Sequence, residues 1–418
     1  GVRFPVPVLI CRRRLRRSAH AAGRERAAAW TRLDTREPEL KTADFLIVGG
    51  GIAGVSAAAR LAPHGRTILL EAESAFGYHS SGRSATFYHF GIGKSVVRGM
   101  TAFSRAHFES PTASGIDLSR PSPALFIATP GMLGVLDALE QEMAAYSDQL
   151  ERLDADGVRA IVPALNCGGE GIVAGVIDRS ARRLDSEALQ QDYRAALKKQ
   201  GGEAITDARI AAIARDGGNW TVTTAAGEKF AAPVLINAAG AWADDIARLA
   251  GVAPLGLRPL RRTIIVFDPP EGCDVRDWPF TKTAVDDFYM LPESGRLLAC
   301  PVDEVPDEPG DAQPEEYDIA LAASKVEHYT SIPIRRISHS WAGLRTFTGD
   351  RVPVAGFAAD ADGFFWLAGQ GGYGLQTSPA MSVITESLIA GTPWPNELTD
   401  WGITPAAMSP ERPGARQG

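Results

Sequence analysis

The residues with the clearest chemical meaning in this sequence are three glycines near position 50. Gly49, Gly51 and Gly54 fit the pattern G-x-G-x-x-G. The first glycine permits a tight turn, the second lets the backbone approach a pyrophosphate, and the third lets a helix pack closely on a strand. Glu71 follows 22 positions after Gly49, where its carboxylate can accept hydrogen bonds from ribose hydroxyls and would repel a 2′-phosphate. The spacing predicts a dinucleotide site that disfavours NADP.

The segments around these glycines predict one complete βαβ unit. Residues 44–48 form a short apolar run typical of a buried parallel strand, and the alanine-rich residues 55–61 indicate a helix. A second apolar run, residues 67–70, ends at Glu71. A pyrophosphate would then meet free N–H groups and the positive dipole end at the helix N-terminus. The unit by itself does not separate FAD from NAD.

Two features favour FAD over NAD. The βαβ unit opens the patterned part of the chain, and a β-type run at residues 234–237 returns almost 190 positions later, followed by Ala238, Ala239 and Gly240. A flavin domain assembled from separated segments requires such a returning strand with a small-residue end. A nicotinamide dehydrogenase would more often continue with further βαβ units, which residues 75–200 do not show.

The remaining pattern predicts an α/β fold class with two domains, which a chain of 418 residues is long enough to form. Helices are expected near residues 95–109, 132–149 and 186–200 and again from Ser378, with a β-meander over 202–236 and further β structure over 261–301. We expect a Rossmann-like FAD-binding domain assembled from the discontinuous segments 42–120, 180–255 and 340–405. An antiparallel-sheet substrate-binding domain is expected from 121–179 and 256–339.

Composition argues against several classes of protein. The net charge of −7 argues mildly against a nucleic-acid partner, and no apolar run reaches the roughly 20 residues of a transmembrane segment. The four cysteines lie far apart without a C-x-x-C pair, so a cytoplasmic location is the default expectation and no metal site is predicted. Residues 1–41 hold 11 basic and 4 acidic residues. We interpret them as a disordered extension, with an organelle transit peptide as the alternative.

The sequence resembles the D-amino-acid oxidase superfamily of FAD-dependent oxidoreductases, and within it the bacterial D-arginine dehydrogenases, over about residues 42–410. The matching blocks are residues 77–85, 234–242, Arg261 and Arg262, Phe288 and Tyr289, 341–345, 363–366 and 370–374. The resemblance implies FAD as the cofactor. We expect it to be bound non-covalently, because no Cys or His falls within residues 341–345, with Cys300 as a distant alternative.

The motif and the resemblance together assign the cofactor-binding residues. The small polar loop 80–85 could wrap the isoalloxazine, with Gly82 and Arg83 reaching the pyrophosphate, although an ordinary solvated loop is the alternative. The turn 371–374 would direct N–H groups at the N1–C2=O end of the flavin. The predicted set is Gly49, Gly51, Ile52, Ala53, Gly54, Glu71, Ala72, Ser80, Ser81, Gly82, Arg83, Ser84, Ala85, Ile210, Ala239, Gly240, Arg345, Gly371, Gly372, Tyr373, Gly374 and Gln376.

The substrate candidates follow from the needs of an amino acid. Its carboxylate is best held by a bidentate guanidinium, preferably with a phenol donor beside it. The resemblance implies that Arg262 and Arg345 clamp the carboxylate, that Tyr289 assists, and that the Gly372 carbonyl meets the amino group. Arg261, next to Arg262, is the alternative for the first arginine.

The chain departs from the D-arginine dehydrogenase pattern where those enzymes meet the substrate side chain. Their glutamate for the distal cation is replaced by Ala124, and three loop positions are Phe87, His89 and Ile92. A buried cation without its carboxylate is costly, so we expect uncharged or apolar side chains to be preferred over arginine. His89 is a candidate base. A histidine that is simply packed or solvated is at least as good an interpretation, because hydride transfer from a neutral amine needs no protein base.

The expected activity is oxidation of a D-amino acid by hydride transfer from Cα to flavin N5, after which water hydrolyses the imino acid to a 2-oxo acid and ammonia. A glycine or sarcosine-type amine oxidase and a 2-hydroxy-acid dehydrogenase are the alternatives on the same scaffold. A flavin-binding subunit with a decayed substrate pocket is the non-enzymatic alternative. The sequence leaves open whether oxygen or a quinone is the electron acceptor, and it leaves the oligomeric state open.

Overall fold

A computed structural model describes residues 39–416 of the chain. The predicted extension, with its transit-peptide alternative, falls outside these residues except at its end. There the prediction is wrong, because Leu40–Thr42 forms a strand that pairs in parallel with Lys229–Ala232. The pairing continues through Ala43, whose N–H donates to the Ala231 carbonyl at 2.8 Å. The fold therefore includes the last residues of the segment assigned to the extension.

Twenty-two strands are formed by the described residues. They are β1 (Leu40–Thr42), β2 (Phe45–Val48), β3 (Thr67–Leu70), β4 (Phe87–Tyr88), β5 (Ser119–Pro121), β6 (Ala124–Ala128), β7 (Leu150–Asp154), β8 (Ala174–Asp178), β9 (Arg182–Leu184), β10 (Glu203–Ile205), β11 (Ile210–Asp216), β12 (Asn219–Thr224), β13 (Lys229–Ala232), β14 (Val234–Asn237), β15 (Arg258–Phe267), β16 (Phe280–Thr283), β17 (Tyr289–Glu293), β18 (Arg296–Cys300), β19 (Val305–Pro306), β20 (Ile337–Phe347), β21 (Val354–Phe357) and β22 (Phe364–Ala368).

Ten α-helices accompany them within residues 39–416. They are α1 (Ile52–Leu61), α2 (Ser95–Glu109), α3 (Leu133–Ala144), α4 (Ala155–Ile161), α5 (Ser186–Lys199), α6 (Ala243–Leu249), α7 (Glu316–Tyr329), α8 (Gly374–Ala390), α9 (Asn396–Asp400) and α10 (Pro405–Met408). None of the helices in this part of the chain is both long and apolar enough to cross a membrane.

The glycine motif follows the carboxyl end of β2, an interior strand of a six-stranded sheet of order β10-β3-β2-β14-β22-β21. The first five strands are parallel and only β21 runs antiparallel to its neighbour. β2, β3 and β22 are buried along their whole length, which explains their continuous apolar sequence. α1 packs between α5 and α8 on this sheet. The predicted α/β fold class and the returning strand β14 are confirmed.

The second large sheet has nine strands in the order β19-β15-β18-β17-β16-β6-β8-β7, with β20 also on β15. It is antiparallel except for β16 and β6, which run parallel. On one face, apolar residues such as Ile264, Tyr289 and Leu298 belong to the same hydrophobic core as residues of the six-stranded sheet and its helices. The other face packs Ile265 and Met290 with a separate cluster that includes residues of α7. The predicted domain boundary at residue 340 lies inside β20, which pairs with β15 over its whole length.

Three local predictions need correction. The meander prediction holds for β11 to β13, but β10 instead extends the parallel sheet beside β3. The helix predicted over 132–149 ends at Ala144, before the Ser147 hydroxyl donates to Asp178 at 2.9 Å. The last long helix, α8, begins at Gly374 and not at Ser378. It tolerates Pro379 because the Ser378 hydroxyl donates, at 2.9 Å, to the Leu375 carbonyl that proline cannot serve.

Candidate active site

A cavity of about 340 Å³ opens where the glycine turn, the loop after Glu71 and the end of β22 meet. It is lined by residues from chain segments more than 300 positions apart. The predicted cofactor residues that line it are Gly49, Gly51, Ile52, Ala53, Glu71, Ala72, Ser80, Ser81, Arg83, Ser84, Ala85, Ile210, Ala239, Gly240, Arg345, Gly371, Gly372 and Gly374. The structure thus brings most of the predicted set to one place.

Gly54 does not line the cavity, and its neighbours show what it does instead. A Cβ at this position would lie 1.8 Å from the Gly49 carbonyl oxygen, so only glycine lets α1 approach the turn. Gly49 itself has a φ of +107°, and a Cβ there would lie 2.4 Å from the Ala238 carbonyl oxygen. The close approach of β14 to the glycine turn explains why its end consists of small residues.

Three other predicted cofactor residues lie behind the cavity wall, and their assignment as direct contacts is corrected. Gly82 closes its own loop by donating its N–H to the Gly77 carbonyl at 2.8 Å. The Tyr373 hydroxyl donates to the backbone carbonyl of Arg351. The buried amide of Gln376 donates to the Thr101 hydroxyl at 2.8 Å. These residues support the cavity without forming its surface.

Glu71 is held in place by backbone N–H groups. One carboxylate oxygen accepts from Gly50 N at 2.6 Å and the other from Glu73 N at 2.9 Å. Each oxygen keeps a further lone pair for a ribose hydroxyl. At the start of α1, the Ser81 hydroxyl accepts from Ile52 N at 2.9 Å, which brings the polar loop onto the anion-binding end of the helix. These residues fit the ribose and pyrophosphate of a dinucleotide.

Arg83 lines the cavity but does not have the role suggested from the sequence. Its guanidinium donates to the carbonyl oxygens of Ala312 and Ala342 at 3.0 and 3.1 Å and pairs with Asp311. With these partners it ties the loop to the second sheet and does not reach for a pyrophosphate. His79 and Trp242 also line the cavity, with their rings 4.6 Å apart. The sequence analysis did not predict either residue.

Strand alternation separates the two adjacent arginines of β15. Arg261 faces away from the cavity, where its guanidinium meets the carboxylates of Asp307 and Asp318, both at 3.1 Å. Arg262 lines the cavity and donates to the Asp303 carbonyl at 2.7 Å and to Glu304 at 3.1 Å. The choice of Arg262 over Arg261 thus agrees with its placement. The sequence did not predict that Glu304 contacts Arg262, because the acidic segment after β18 has the composition of a surface loop.

Arg345 lies on β20, the strand paired with that of Arg262, and packs against Gly372. A Cβ on Gly372 would lie 2.5 Å from Arg345 Nη1, so glycine is needed for the contact. Among the residues that the structure describes, no carboxylate lies within ion-pair distance of Arg345. Burial, followed by the neighbouring charge of Arg262, lowers the pKa of Arg345, although a guanidinium stays protonated at neutral pH. The arrangement leaves a cation that lacks a counter-ion.

Tyr289, on β17, is a neighbour of Arg262 and Arg345 but is not one of the cavity-lining residues. Its side chain is 4% exposed, and its hydroxyl has no hydrogen-bond partner among the described residues. Burial raises the pKa of Tyr289, and the neighbouring Cys300 raises it further. The phenol therefore stays protonated and can donate. A buried donor without a partner is costly, and together with Arg345 it indicates a binding site for an anion.

His89 is buried among aromatic rings and is not one of the cavity-lining residues. Its ring lies 5.1 Å from that of Phe280 and 5.8 Å from that of Phe126. Nδ1 accepts a hydrogen bond from Gly91 N at 3.1 Å, so the neutral ring carries its proton on Nε2. Burial, and then the charge of Lys282, lowers the pKa of His89 well below its ordinary value. The ring is neutral at physiological pH.

Apart from His89, the positions that depart from the D-arginine dehydrogenase pattern form an apolar wall beside Tyr289, and none of them is among the residues that line the cavity. Ala124 is fully buried and pairs with Phe280 across β6 and β16. Phe87 stacks on Phe280 at 4.6 Å, and Phe280 lies 5.3 Å from Tyr289. Ile92 packs against the same core. None of the four residues Ala124, Phe87, Phe280 and Ile92 can neutralise a cation.

The neutral state of His89 predicts an acid-sensitive stability. Below pH 6.5 the unfolded chain protonates this histidine while the folded protein does not, so acidification favours unfolding. Between pH 6.5 and the lowered pKa of His89 in the folded protein, this residue reduces the free energy of unfolding by up to about 1.4 kcal/mol for each pH unit of acidification. His89→Asn keeps an acceptor for Gly91 N but cannot titrate. Denaturant unfolding at pH 5–8 should show a shallower acid slope for this variant, and equal slopes would contradict the assignment.

At the level of sequence, residues 44–388 match the family model DAO, an FAD dependent oxidoreductase. The chain is 26% identical to the glycine oxidase of Bacillus licheniformis over 385 residues, which covers 86% of this chain and 96% of that protein. It is 28% identical to the L-2-hydroxyglutarate dehydrogenase of Escherichia coli (strain K12) over 218 residues, which covers half of each chain.

Solved structures share the fold. Glycine oxidase from Geobacillus kaustophilus matches with a TM-score of 0.75 and 20% identity, covering 87% of this chain and 99% of that one. Dithionite-reduced L-alpha-glycerophosphate oxidase from Mycoplasma pneumoniae, solved with FAD bound, matches with a TM-score of 0.74 and 20% identity, covering 84% and 95%. The family match, the fold and the cavity built on the glycine motif agree on FAD as the cofactor.

Proposed function

Because the chain belongs to the DAO family of FAD-dependent oxidoreductases, we propose that it oxidises a D-amino acid to the imino acid, which water hydrolyses to a 2-oxo acid and ammonia. The observation that carries this proposal is the Arg345 guanidinium, which faces the cofactor cavity with no carboxylate partner among the described residues. A buried cation without a counter-ion is costly, and the carboxylate of an amino acid would remove that cost. FAD, when bound, accepts the hydride from the substrate.

The other residues of the group fit the orientation of such a substrate. Arg262 keeps N–H donors beyond the two that it gives to Asp303 and Glu304. The free hydroxyl of Tyr289 can donate to the same carboxylate. Gly372, packed on Arg345, offers its carbonyl to the amino group. Holding the carboxylate at two or three points fixes where Cα and its hydrogen lie, which is the main requirement for hydride transfer.

No protein base is required by this proposal, and His89 is poorly suited to be one. Its Nδ1 is occupied by Gly91 N, and the remaining nitrogen of the neutral ring carries a proton. We propose that the substrate binds with its amine neutral and that His89 has a packing role. The apolar wall at Ala124, Phe87 and Ile92 supports an uncharged substrate side chain over arginine.

Two other activities are also supported by specific relatives. Named relatives include a glycine oxidase and an L-2-hydroxyglutarate dehydrogenase, so oxidation of glycine or sarcosine, or of a 2-hydroxy acid, fits the same carboxylate site. The likeness to D-arginine dehydrogenases remains a prediction beside these relatives. The non-enzymatic alternative is a flavin-binding subunit, which the loss of polar residues around the side-chain end of the pocket would suit.

The test is anaerobic stopped-flow bleaching of the flavin with a panel of D- and L-amino acids, glycine, sarcosine and 2-hydroxy acids. We expect D-amino acids to reduce the flavin, with kcat/KM for D-methionine or D-phenylalanine at least about tenfold above that for D-arginine. Ammonia, methylamine and 2-oxo acid assays identify the bond that is oxidised. A clear preference for D-arginine would contradict the predicted pocket, and no bleaching with any compound would favour the decayed site.

A further inference from the structure

The ammonium of Lys282 is a buried charge that the proposed chemistry does not use. Across adjacent strands, Tyr289 pairs with both Cys300 and Lys282, and Lys282 pairs with Phe126. Directly paired residues share one face of a sheet, so Lys282 lies on the same face as Tyr289, one strand further from Arg262. Its side chain is only 5% exposed. A lysine within this largely apolar row is costly unless its ammonium has partners.

Two acceptors hold the Lys282 ammonium. Nζ donates to the Gly91 carbonyl at 2.9 Å and lies 2.9 Å from Asp286 Oδ1. An ammonium has three N–H donors, so one remains for a ligand. Asp286 lies at the tip of the β16–β17 hairpin with a φ of +57°, and its half-exposed carboxylate keeps its second oxygen free of partners within the described residues. The pair therefore offers one donor and one acceptor side by side.

The charges near Arg345 indicate what kind of side chain fits this pair. Lys282 has Asp286 as its own partner, Arg262 shares Glu304 with Arg351, and Arg345 has no carboxylate partner in the described chain. The α-carboxylate of the substrate would therefore bind at the arginines, where it supplies the partner that Arg345 lacks. At the Lys282–Asp286 pair, a second carboxylate would meet a cation that already has a counter-ion and would be repelled by Asp286. A neutral polar group can use the free donor and the free acceptor together.

We propose that Lys282 and Asp286 form a side-chain subsite that selects a carboxamide, as in glutamine. The carbonyl oxygen of the amide accepts from Lys282 Nζ, and the NH₂ group donates to the free oxygen of Asp286. Lys282 and Tyr289 are directly paired on neighbouring strands, which lie about 4.8 Å apart, a length comparable to that of a glutamine side chain. This inference rests on the proposed function and names the substrate class of the same site.

The first test compares isosteric side chains on the FAD-loaded enzyme. The substrates are D-glutamine, D-glutamate and D-homoleucine, which has an apolar branched end in place of the amide. We expect kcat/KM for flavin reduction to be at least about tenfold higher for D-glutamine than for either of the others. Equal or better reaction with D-homoleucine would overturn the subsite, and preference for D-glutamate would overturn the choice of a neutral side chain.

Variants assign the effect to the two residues. Lys282→Met should lower the ratio of D-glutamine to D-homoleucine by at least about tenfold, since the amide oxygen loses its donor. Asp286→Asn should raise the ratio of D-glutamate to D-glutamine by about tenfold, since it removes the repelling charge. The matched control is Lys325→Met, because Lys325 holds the same hairpin through the Asp287 carbonyl. In Lys325→Met, the ratio of D-glutamine to D-homoleucine and the ratio of D-glutamate to D-glutamine should both stay unchanged.

A binding measurement separates this inference from the proposed function. Glutaramate and glutarate have no amine to oxidise, so their binding does not depend on catalysis. Calorimetry with the FAD-loaded protein should give a Kd for glutaramate at least about tenfold below that for glutarate, and Lys282→Met should abolish the difference. If the difference appears but no amino acid bleaches the flavin, the subsite stands and the amine chemistry fails. If neither compound binds more tightly, the subsite is refuted.

Discussion

Arg345→Met is expected to lower kcat/KM for the best amino-acid substrate by about 10²–10⁴-fold. Loss of one partner of a buried ion pair costs about 3–5 kcal/mol, and each 1.36 kcal/mol corresponds to a factor of ten in rate. The loss arises on substrate binding and in the transition state, because the carboxylate would enter a buried site without its counter-ion. Arg345→Lys should recover only part of the loss, since an ammonium cannot make the bidentate contact.

The same substitution should not destabilise the substrate-free protein. Arg345 is partly exposed to the cavity and has no carboxylate partner in the described chain, so methionine removes an uncompensated charge, and the melting temperature should stay equal or rise. Opposite changes in activity and stability are typical of a functional site. Arg179→Met is the control, since Arg179 is half exposed and pairs with Glu151 at the edge of the large sheet. A fall in stability with full activity would assign Arg345 a structural role.

Gly54→Ala is expected to abolish stable FAD binding. The new Cβ would lie 1.8 Å from the Gly49 carbonyl oxygen, which is backbone and cannot rotate away. Relief requires moving α1 off the glycine turn, and this displaces the N–H groups that face the pyrophosphate. We expect the protein to purify largely colourless, with a Kd for FAD raised at least about 100-fold, equivalent to roughly 2.7 kcal/mol.

The absorbance ratio at 450 and 280 nm measures the flavin content of Gly54→Ala, and titration with FAD gives the Kd. Gly134→Ala is the matched control, because Gly134 lies within α3 with open space around the position of its Cβ. It should bind FAD normally and be slightly more stable, since alanine favours a helix over glycine by about 1 kcal/mol. A yellow Gly54→Ala protein would show that α1 can shift without harm.

The βαβ unit could be predicted closely because its signals are local. The predicted strand 67–70 coincides with β3, and the predicted helix 95–109 coincides with α2. Glycine at a turn and continuous apolar runs are demands of the backbone within a few residues. The predictions that failed depend on distant partners. β10 joins β3, across more than 130 intervening residues, and no local pattern reports that pairing.

The sequence by itself determined the cofactor. The glycine spacing, Glu71 and the returning strand 234–237 were enough to predict FAD, because a dinucleotide is held mainly by backbone groups whose geometry these residues specify locally. Only the tertiary structure decided the charge balance of the substrate site. It placed Arg262 in the cavity and Arg261 outside, paired Lys282 with Asp286, made Arg262 share Glu304 with Arg351, and gave Arg345 no carboxylate partner within residues 39–416. Ion pairs depend on which strands meet, and strand register across a sheet is set by packing over the whole chain.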